Sequence, residues 1–212
     1  MSNRVTRDTP KPDAAVLSFS LSQAHLPRLF PLLQQGFLVR VPGGCNIRTI
    51  LCQHLGFTPD YLENRIQTIF LNGKAVDEVD ATIVGEGATL ALSTAMPGLV
   101  GATMRKGGYY AGLRGAITHR EAKRATPEAN CLVRLKLFNL LTGEVGPLFL
   151  EKGICFESAV LEDFFRTRPE DFWSGFLAVS LNGKELDLTA LAAGPWPGVP
   201  DLICLKVLVG PD

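Results

Sequence analysis

Polar and apolar residues alternate in two well-separated stretches of the chain. Leu17, Phe19 and Leu21 alternate with Ser18, Ser20 and Ser22, and Val133, Leu135 and Leu137 alternate with Arg134 and Lys136. A period of two puts every second side chain on one face, so each stretch predicts a strand buried on one side. Phe37–Val41 predicts a second short strand, broken by Pro42-Gly43-Gly44. Asn46 is a helix N-cap, followed by Ile47, Ile50, Leu51 and Leu55 at helical spacing and by Gly56 as the stop. Ile66–Leu71 predicts a strand running into Asn72-Gly73, a turn signal between strands, and Ala88–Thr94 predicts a last strand.

The same order returns further along. After Leu132–Leu137, Thr142-Gly143-Glu144 reads as a turn and Pro147–Leu150 as a returning strand. Phe156, Val160, Leu161, Phe164 and Phe165 have helical spacing, with Pro169 beyond the helix end. Phe176–Leu181 reads as a strand into Asn182-Gly183. Leu202–Val209 is a nearly continuous apolar run, as expected of a central strand buried on both faces. Leu71-Asn72-Gly73-Lys74 recurs as Leu181-Asn182-Gly183-Lys184, and the two helices match at the same offset, Ile50 against Val160. The first strands lie slightly further apart, which predicts a longer connection around His25–Gln35 in the first copy.

This order predicts an α+β protein of two tandem units, each a small mixed sheet with one crossing helix. The boundaries follow as a tail at 1–13, a first unit at 14–95, a connector at 96–130 and a second unit at 131–212. Units this small bury little, so each needs its twin or a second chain to cover its open face.

Composition narrows the function classes. The chain has 212 residues, 46% apolar and 20% charged, which is a globular balance. Mean hydropathy is +0.17, yet no run approaches the ~18 to 20 apolar residues of a membrane span. Residues 1–13 are polar, carry Pro10 and Pro12, and lack the apolar core of a secretory leader, so a cytoplasmic protein is expected. The five cysteines are scattered and odd in number, without a C-x-x-C pair, and are expected to be thiols packed in a reducing compartment.

The 21 basic and 21 acidic side chains balance, which argues against a surface built wholly for nucleic acid or an anionic membrane. The balance is nevertheless sorted. Residues 96–126 hold Arg105, Lys106, Arg114, Arg120, Lys123 and Arg124 against Glu121 alone, whereas residues 127–212 are acidic.

That connector is the candidate site, through Arg105, Lys106, Gly107, Gly108, Tyr109, Tyr110, Arg114, His119 and Arg120. Glycine lets backbone N–H groups approach an anion closely, Arg and Lys supply charge, and the two tyrosines offer faces for stacking or cation–π contact. The partners this chemistry suits are a protein surface or an anionic small molecule, with nucleic acid less favoured and no membrane. No P-loop or dinucleotide-binding motif names a ligand. A second reading stays open, that of a linker kept soluble by its charge or paired with the acidic second unit. If the segment is a surface, changing Arg105, Lys106 and Arg114 together weakens binding and leaves the fold intact.

Elsewhere the structural reading is the simpler one. Cys45 precedes a helix but has no identifiable base. Cys52 and His54 are two apart on a helix and do not share a face, so no metal site is expected. His25 and His119 lack a nucleophile motif. Glu162-Asp163 and Glu170-Asp171 read as solvated faces, and Trp173 and Trp196 as packing residues. No catalytic residue and no cofactor is identified.

The segment Ile69-Phe70-Leu71-Asn72-Gly73-Lys74-Ala75-Val76, followed by Glu86-Gly87-Ala88-Thr89-Leu90-Ala91-Leu92 and then Pro97-Gly98, resembles the β-grasp, or ubiquitin-like, fold. Within it, the first copy is most similar to the sulfur-carrier branch, the molybdopterin-synthase small subunit and thiamine-biosynthesis carrier families. By pattern the resemblance covers residues 14–100. It implies a β-grasp fold and a part in cofactor biosynthesis. Those carriers end in a Gly-Gly whose carboxylate is activated. Here the chain continues past Pro97-Gly98, and Gly107-Gly108 is internal. The function expected is therefore a non-enzymatic binding or scaffolding module. The alternative is a sulfur-carrier-like or accessory protein in cofactor biosynthesis.

Overall fold

A computed structural model describes residues 14–115, 118–119, 130–196 and 198–210. The strands are β1 (Ala15–Ser22), β2 (Phe37–Val41), β3 (Thr68–Leu71), β4 (Lys74–Ala75), β5 (Thr89–Ser93), β6 (Cys131–Phe138), β7 (Ile154–Glu157), β8 (Phe176–Leu181), β9 (Lys184–Glu185) and β10 (Leu202–Gly210). The α-helices are α1 (Phe30–Gln35), α2 (Ile47–Thr49), α3 (Pro59–Asn64), α4 (Gly98–Met104), α5 (Leu140–Lys152), α6 (Ser158–Arg166) and α7 (Leu188–Ala193). The protein is thus α+β. Among the described residues no helix is long and apolar enough to cross a membrane.

The chain groups into two compact units. Met1–Leu26 joins Leu150–Asp212 in a split unit, and Pro27–Phe149 forms a continuous unit. These units do not follow the two copies read from the sequence. In the continuous unit the strand order is β4-β3-β5-β6-β2, with β5 and β6 parallel and the other pairs antiparallel. In the split unit the order is β9-β8-β1-β10-β7, with β1 and β10 parallel and the rest antiparallel. The succession of pairings is the same in both. Each sheet holds the first strand of the other copy: β6 lies in the continuous unit and β1 in the split one.

The connections explain that exchange. A tight turn would have paired first and second strands as a hairpin. Instead a 3-10 turn (Gln23–Leu29) and α1 separate β1 from β2, and α5 separates β6 from β7. The expected turn at Thr142-Gly143-Glu144 and strand at Pro147–Leu150 are therefore corrected to one helix. Asn139, at φ 54°, ends β6, and Thr142 Oγ1 donates to Leu137 O at 2.9 Å as α5 begins. Thr142, Gly146 and Leu150 recur every fourth residue and are all buried. A Cβ on Gly146 would sit 2.5 Å from Leu33 Cδ1, so glycine here permits close packing. Phe156, expected in a helix, lies in β7 opposite Ile203.

The repeated tetrapeptide makes the same turn twice. Asn72 and Gly73 have φ 51° and 77°, and Asn182 and Gly183 have φ 51° and 78°. Asn tolerates this left-handed region and its side chain closes the turn onto the adjoining strand. Asn72 Oδ1 accepts the Thr89 N–H at 2.8 Å, and Asn182 Oδ1 accepts the Val16 N–H at 2.8 Å.

Each unit has its own core. In the split unit, Leu17, Phe19 and Leu21 of β1 and Ile203, Leu205 and Val207 of β10 are buried with Leu161, Phe164 and Phe165 of α6. Phe165 reaches Phe19 at 5.4 Å between ring centroids, and Trp173 and Trp196 flank Phe165. In the continuous unit, Val133, Leu135 and Leu137 of β6 are fully buried, as are Leu90 and Leu92 of β5 and Ile47, Ile50 and Leu51 after the Asn46 cap. Asn46 Oδ1 accepts the Thr49 N–H at 2.8 Å, as its position predicts. The helix then widens into a π turn at Ile50–His54 and stops at Gly56, φ 84°.

One expectation about chemistry is also corrected. Cys155 and Cys204 form a disulfide, while Cys45, Cys52 and Cys131 remain thiols. Strand register causes the pairing, since these two residues stand directly opposite on β7 and β10.

Candidate interaction surface

The described part of the connector contains two short helical pieces that pack on each other, α4 and a 3-10 turn at Tyr109–Arg114. Gly98 starts α4 at φ 75°, and a Cβ on Gly101 would collide with Met96 O, so both glycines serve a tight fold-back. The segment then runs beside the edge of the continuous unit's sheet. Lys106 N–H donates to Gln67 O at 2.7 Å, His119 N–H donates to Ala75 O at 2.8 Å, and Thr118 bridges Ala75 in parallel.

Arg114 holds this arrangement from inside. It is 3% exposed, and its guanidinium donates to Asp77 Oδ1 at 2.6 Å, Thr103 O at 2.7 Å, Thr118 Oγ1 at 3.0 Å and Arg105 O at 3.3 Å. Gly107 N–H donates to the same Asp77 oxygen at 2.8 Å. The glycine N–H and the arginine that suggested an anion cradle therefore hold an anion of the chain itself. A buried guanidinium needs such a set of acceptors, because an unpaired buried charge is very costly.

Lys106 is a second anchor. Its ammonium donates to Leu62 O at 3.0 Å and to Glu63 Oε2 at 3.3 Å. Glu63 also accepts from Arg48 at 2.5 Å, and Arg48 reaches Asp80 at 2.6 Å. Arg48 first and Lys106 second hold the Glu63 carboxyl below its ordinary range. The connector's anchoring cations are thus matched by Glu63 and Asp77 of the first copy, where the sequence suggested the acidic second one.

Among the described residues of the connector, what remains outward is largely apolar. Tyr109 is 95% exposed, Leu113 75%, and Leu99 and Val100 70% each, with Tyr110 also exposed. The rings of Tyr109 and Tyr110 meet edge to face at 5.1 Å. Arg105 is exposed at the end of α4, and Gly108 N–H caps its carbonyl at 3.1 Å. The sequence-predicted residues therefore divide. Arg105, Tyr109 and Tyr110 face solvent. Lys106, Gly107, Gly108, Arg114 and His119 build the platform. Arg120 lies outside the described residues. The sequence reading missed Asp77, Leu99, Val100 and Leu113. A signal was present for the last three, since apolar residues recur through an otherwise polar segment.

The other candidates have local explanations. Ser22 Oγ lies 2.6 Å from His25 Nδ1, a partner the sequence did not reveal, and the His25 ring occupies the space that a Cβ on Gly175 would need. Burial pushes the Cys52 thiol up, against the opposing pull of Arg48. Within the continuous unit, Glu144 of α5 takes hydrogen bonds from Arg65 and, at 2.7 Å, from Tyr61 Oη. Arg65 above all holds Glu144 down to about 2, and burial followed by the Glu144 contact pushes the Tyr61 phenol up. Among the described residues no group of three or more His, Cys, Asp or Glu is arranged to hold a metal ion. Trp196 Nε1 donates to Leu191 O at 3.0 Å and belongs to the core packing. Comparison of the chain with protein-family models, with curated proteins and with solved structures finds no match.

Proposed function

We propose that this protein is a non-catalytic binding module and that it docks a protein partner on the solvent face of the connector. One observation carries the reading. Leu99, Val100, Tyr109, Tyr110 and Leu113 are exposed together on two helical pieces whose backbone is fixed from beneath by Arg114, Lys106 and Gly107. Clustered exposed apolar side chains are the mark of a contact surface. Tyrosine and arginine are the residue types that dominate binding energy at such surfaces. A backbone already ordered before binding loses little entropy on docking. Arg105 beside the patch suits a partner with a carboxylate next to its own apolar residues.

The β-grasp-like character of both units is part of the same proposal. It is supported by the repeated Asn-Gly turn and by the matching succession of strand pairings in the two sheets. The carrier chemistry of that fold family has less support, because Gly107 and Gly108 are internal and hydrogen-bonded, to Asp77 and to Arg105.

A photo-crosslinking amino acid at position 109 or 113, used in the host cell, tests the docking surface. The expected result is one dominant protein adduct that disappears in a Leu99→Glu, Leu113→Glu variant with an unchanged circular dichroism spectrum. Adducts no different from those obtained at exposed Lys184 would reject the surface.

A further inference from the structure

Cys155 and Cys204 face each other across β7 and β10 with Cα atoms 4.0 Å apart. Beside this bond the chain keeps three thiols, of which Cys45 and Cys52 are half-buried. A protein held permanently oxidised is poorly served by accessible thiols, because thiolates attack disulfides and reshuffle them. A disulfide in a chain that also retains thiols fits a bond that opens and closes. The two residues differ in access, since Cys155 is half-buried and Cys204 is buried. Within the split unit, β7 is held by four residue pairs, all with β10, and the disulfide joins one of them. β7 leads directly into α6, whose Leu161, Phe164 and Phe165 are core residues.

We propose that Cys155–Cys204 is a redox latch that fixes β7 to β10 and is opened by a dithiol reductant. A thiolate of the dithiol attacks Sγ of Cys155, the less buried of the two residues. The S–S bond breaks, and Cys204 leaves as a thiolate and takes up a proton. The second thiol of the reductant loses its proton and attacks the mixed disulfide, forming the reductant's own disulfide and releasing Cys155 as a thiolate, which is protonated in turn. Two electrons pass from the dithiol to the protein. A disulfide oxidant runs the exchange backwards and closes the latch. With the latch open, β7 and the start of α6 separate from β10 more often than with it closed, because the local opening no longer has a covalent limit.

The test uses the full-length protein in buffers of graded reduced-to-oxidised dithiothreitol ratio. Samples are denatured, alkylated with N-ethylmaleimide and weighed intact, while amide exchange is followed by mass spectrometry. The expected result is a reversible passage from three adducts to five in protein that stays folded, with exchange over residues 154–157 about tenfold faster in the reduced form. Exchange over β3 and β5 stays unchanged. A Cys155→Ala, Cys204→Ala variant exchanges fast at every ratio. If that variant does not fold, the wild-type titration decides alone. Five adducts at every ratio, reduction that requires denaturant, or equal exchange of β7 in both forms would each overturn the latch.

Discussion

Replacing Arg114 with Met keeps most of the apolar stem and removes the guanidinium. Its hydrogen bonds to Asp77, Thr103, Thr118 and Arg105 go with it. Asp77 keeps the Gly107 N–H, and its side chain is 22% exposed, so water compensates part of the loss. Removing one partner of a buried ion pair costs about 3–5 kcal/mol, and this access to water puts Arg114→Met near the lower end, about 3 kcal/mol. Asp77→Ala lacks that relief, because the Arg114 side chain is 1% exposed and keeps its charge, so about 4 kcal/mol is expected. The double variant loses less than the sum, since the second change removes the orphaned charge. Urea unfolding followed by far-ultraviolet circular dichroism measures the totals. Tryptophan fluorescence is the wrong probe, as Trp173 and Trp196 both lie in the split unit. Amide exchange supplies the local readout: the Lys106, Gly107 and His119 N–H groups, bonded to Gln67, Asp77 and Ala75, exchange faster in both variants. Arg105→Met, at an exposed site, is the control and should stay within about 0.5 kcal/mol of the native chain. If Arg114→Met and Asp77→Ala behave like that control and those amides stay protected, the buried-anchor account is wrong.

Three further outcomes follow from named contacts. Asn72→Ala and Asn182→Ala each place a residue with no side-chain acceptor at positive φ and strip the Thr89 or Val16 N–H of its partner, so each should lose about 1–2 kcal/mol in urea unfolding. Gly146→Ala brings a methyl to 2.5 Å from Leu33 Cδ1, and overpacking of about 1–3 kcal/mol should appear in the same assay unless Leu33 finds a second rotamer. Glu144 is held down to about 2 from its ordinary 4.5. Its contribution is complete above 4.5 and is lost as pH falls toward 2; for this partly exposed pair it is about 1 kcal/mol. Stability measured across that window should fall less in Glu144→Gln than in the native chain.

The parts of the fold legible in the sequence are those where a local rule has one outcome. Alternation over Leu17–Leu21 and Val133–Leu137 marks strands with one buried face, and those side chains are fully buried. Asn-Gly marks the same turn twice because few other pairs tolerate two successive residues at positive φ. Helix α5 was not legible because its composition imitates a turn and its stability is tertiary. Gly143, Gly146 and Pro147 lower helix propensity, while burial of Leu141, Thr142 and Leu150 opposes that loss. Strand partners were not legible either. A period of two names a strand's buried face and says nothing of its neighbours, so β6 in the sheet of the first copy and β1 in that of the second leave no trace in spacing. The disulfide is hidden for the same reason, since only the register of β7 on β10 sets Cys155 opposite Cys204.

The connector shows how charge read from composition differs from charge available to a partner. Six cations against one acid in residues 96–126 suggest an electrostatic surface. Two of those cations, Lys106 and Arg114, are turned inward onto Glu63 and Asp77, which precede the connector in sequence and follow no spacing rule that links them to it. Their charge orders the backbone and adds little to the field outside. Among the described residues, the outward side chains around Arg105 are largely aliphatic and aromatic. Under the docking proposal, binding strength at this surface rests on burial of apolar area at roughly 25 cal/mol per Å². Arg105 acts chiefly on encounter rate and orientation, as exposed rim charges do. A partner selected in this way must carry a complementary apolar patch, a demand that a phosphate backbone does not meet. Under that proposal, this ground favours a protein over nucleic acid at the described face of the connector.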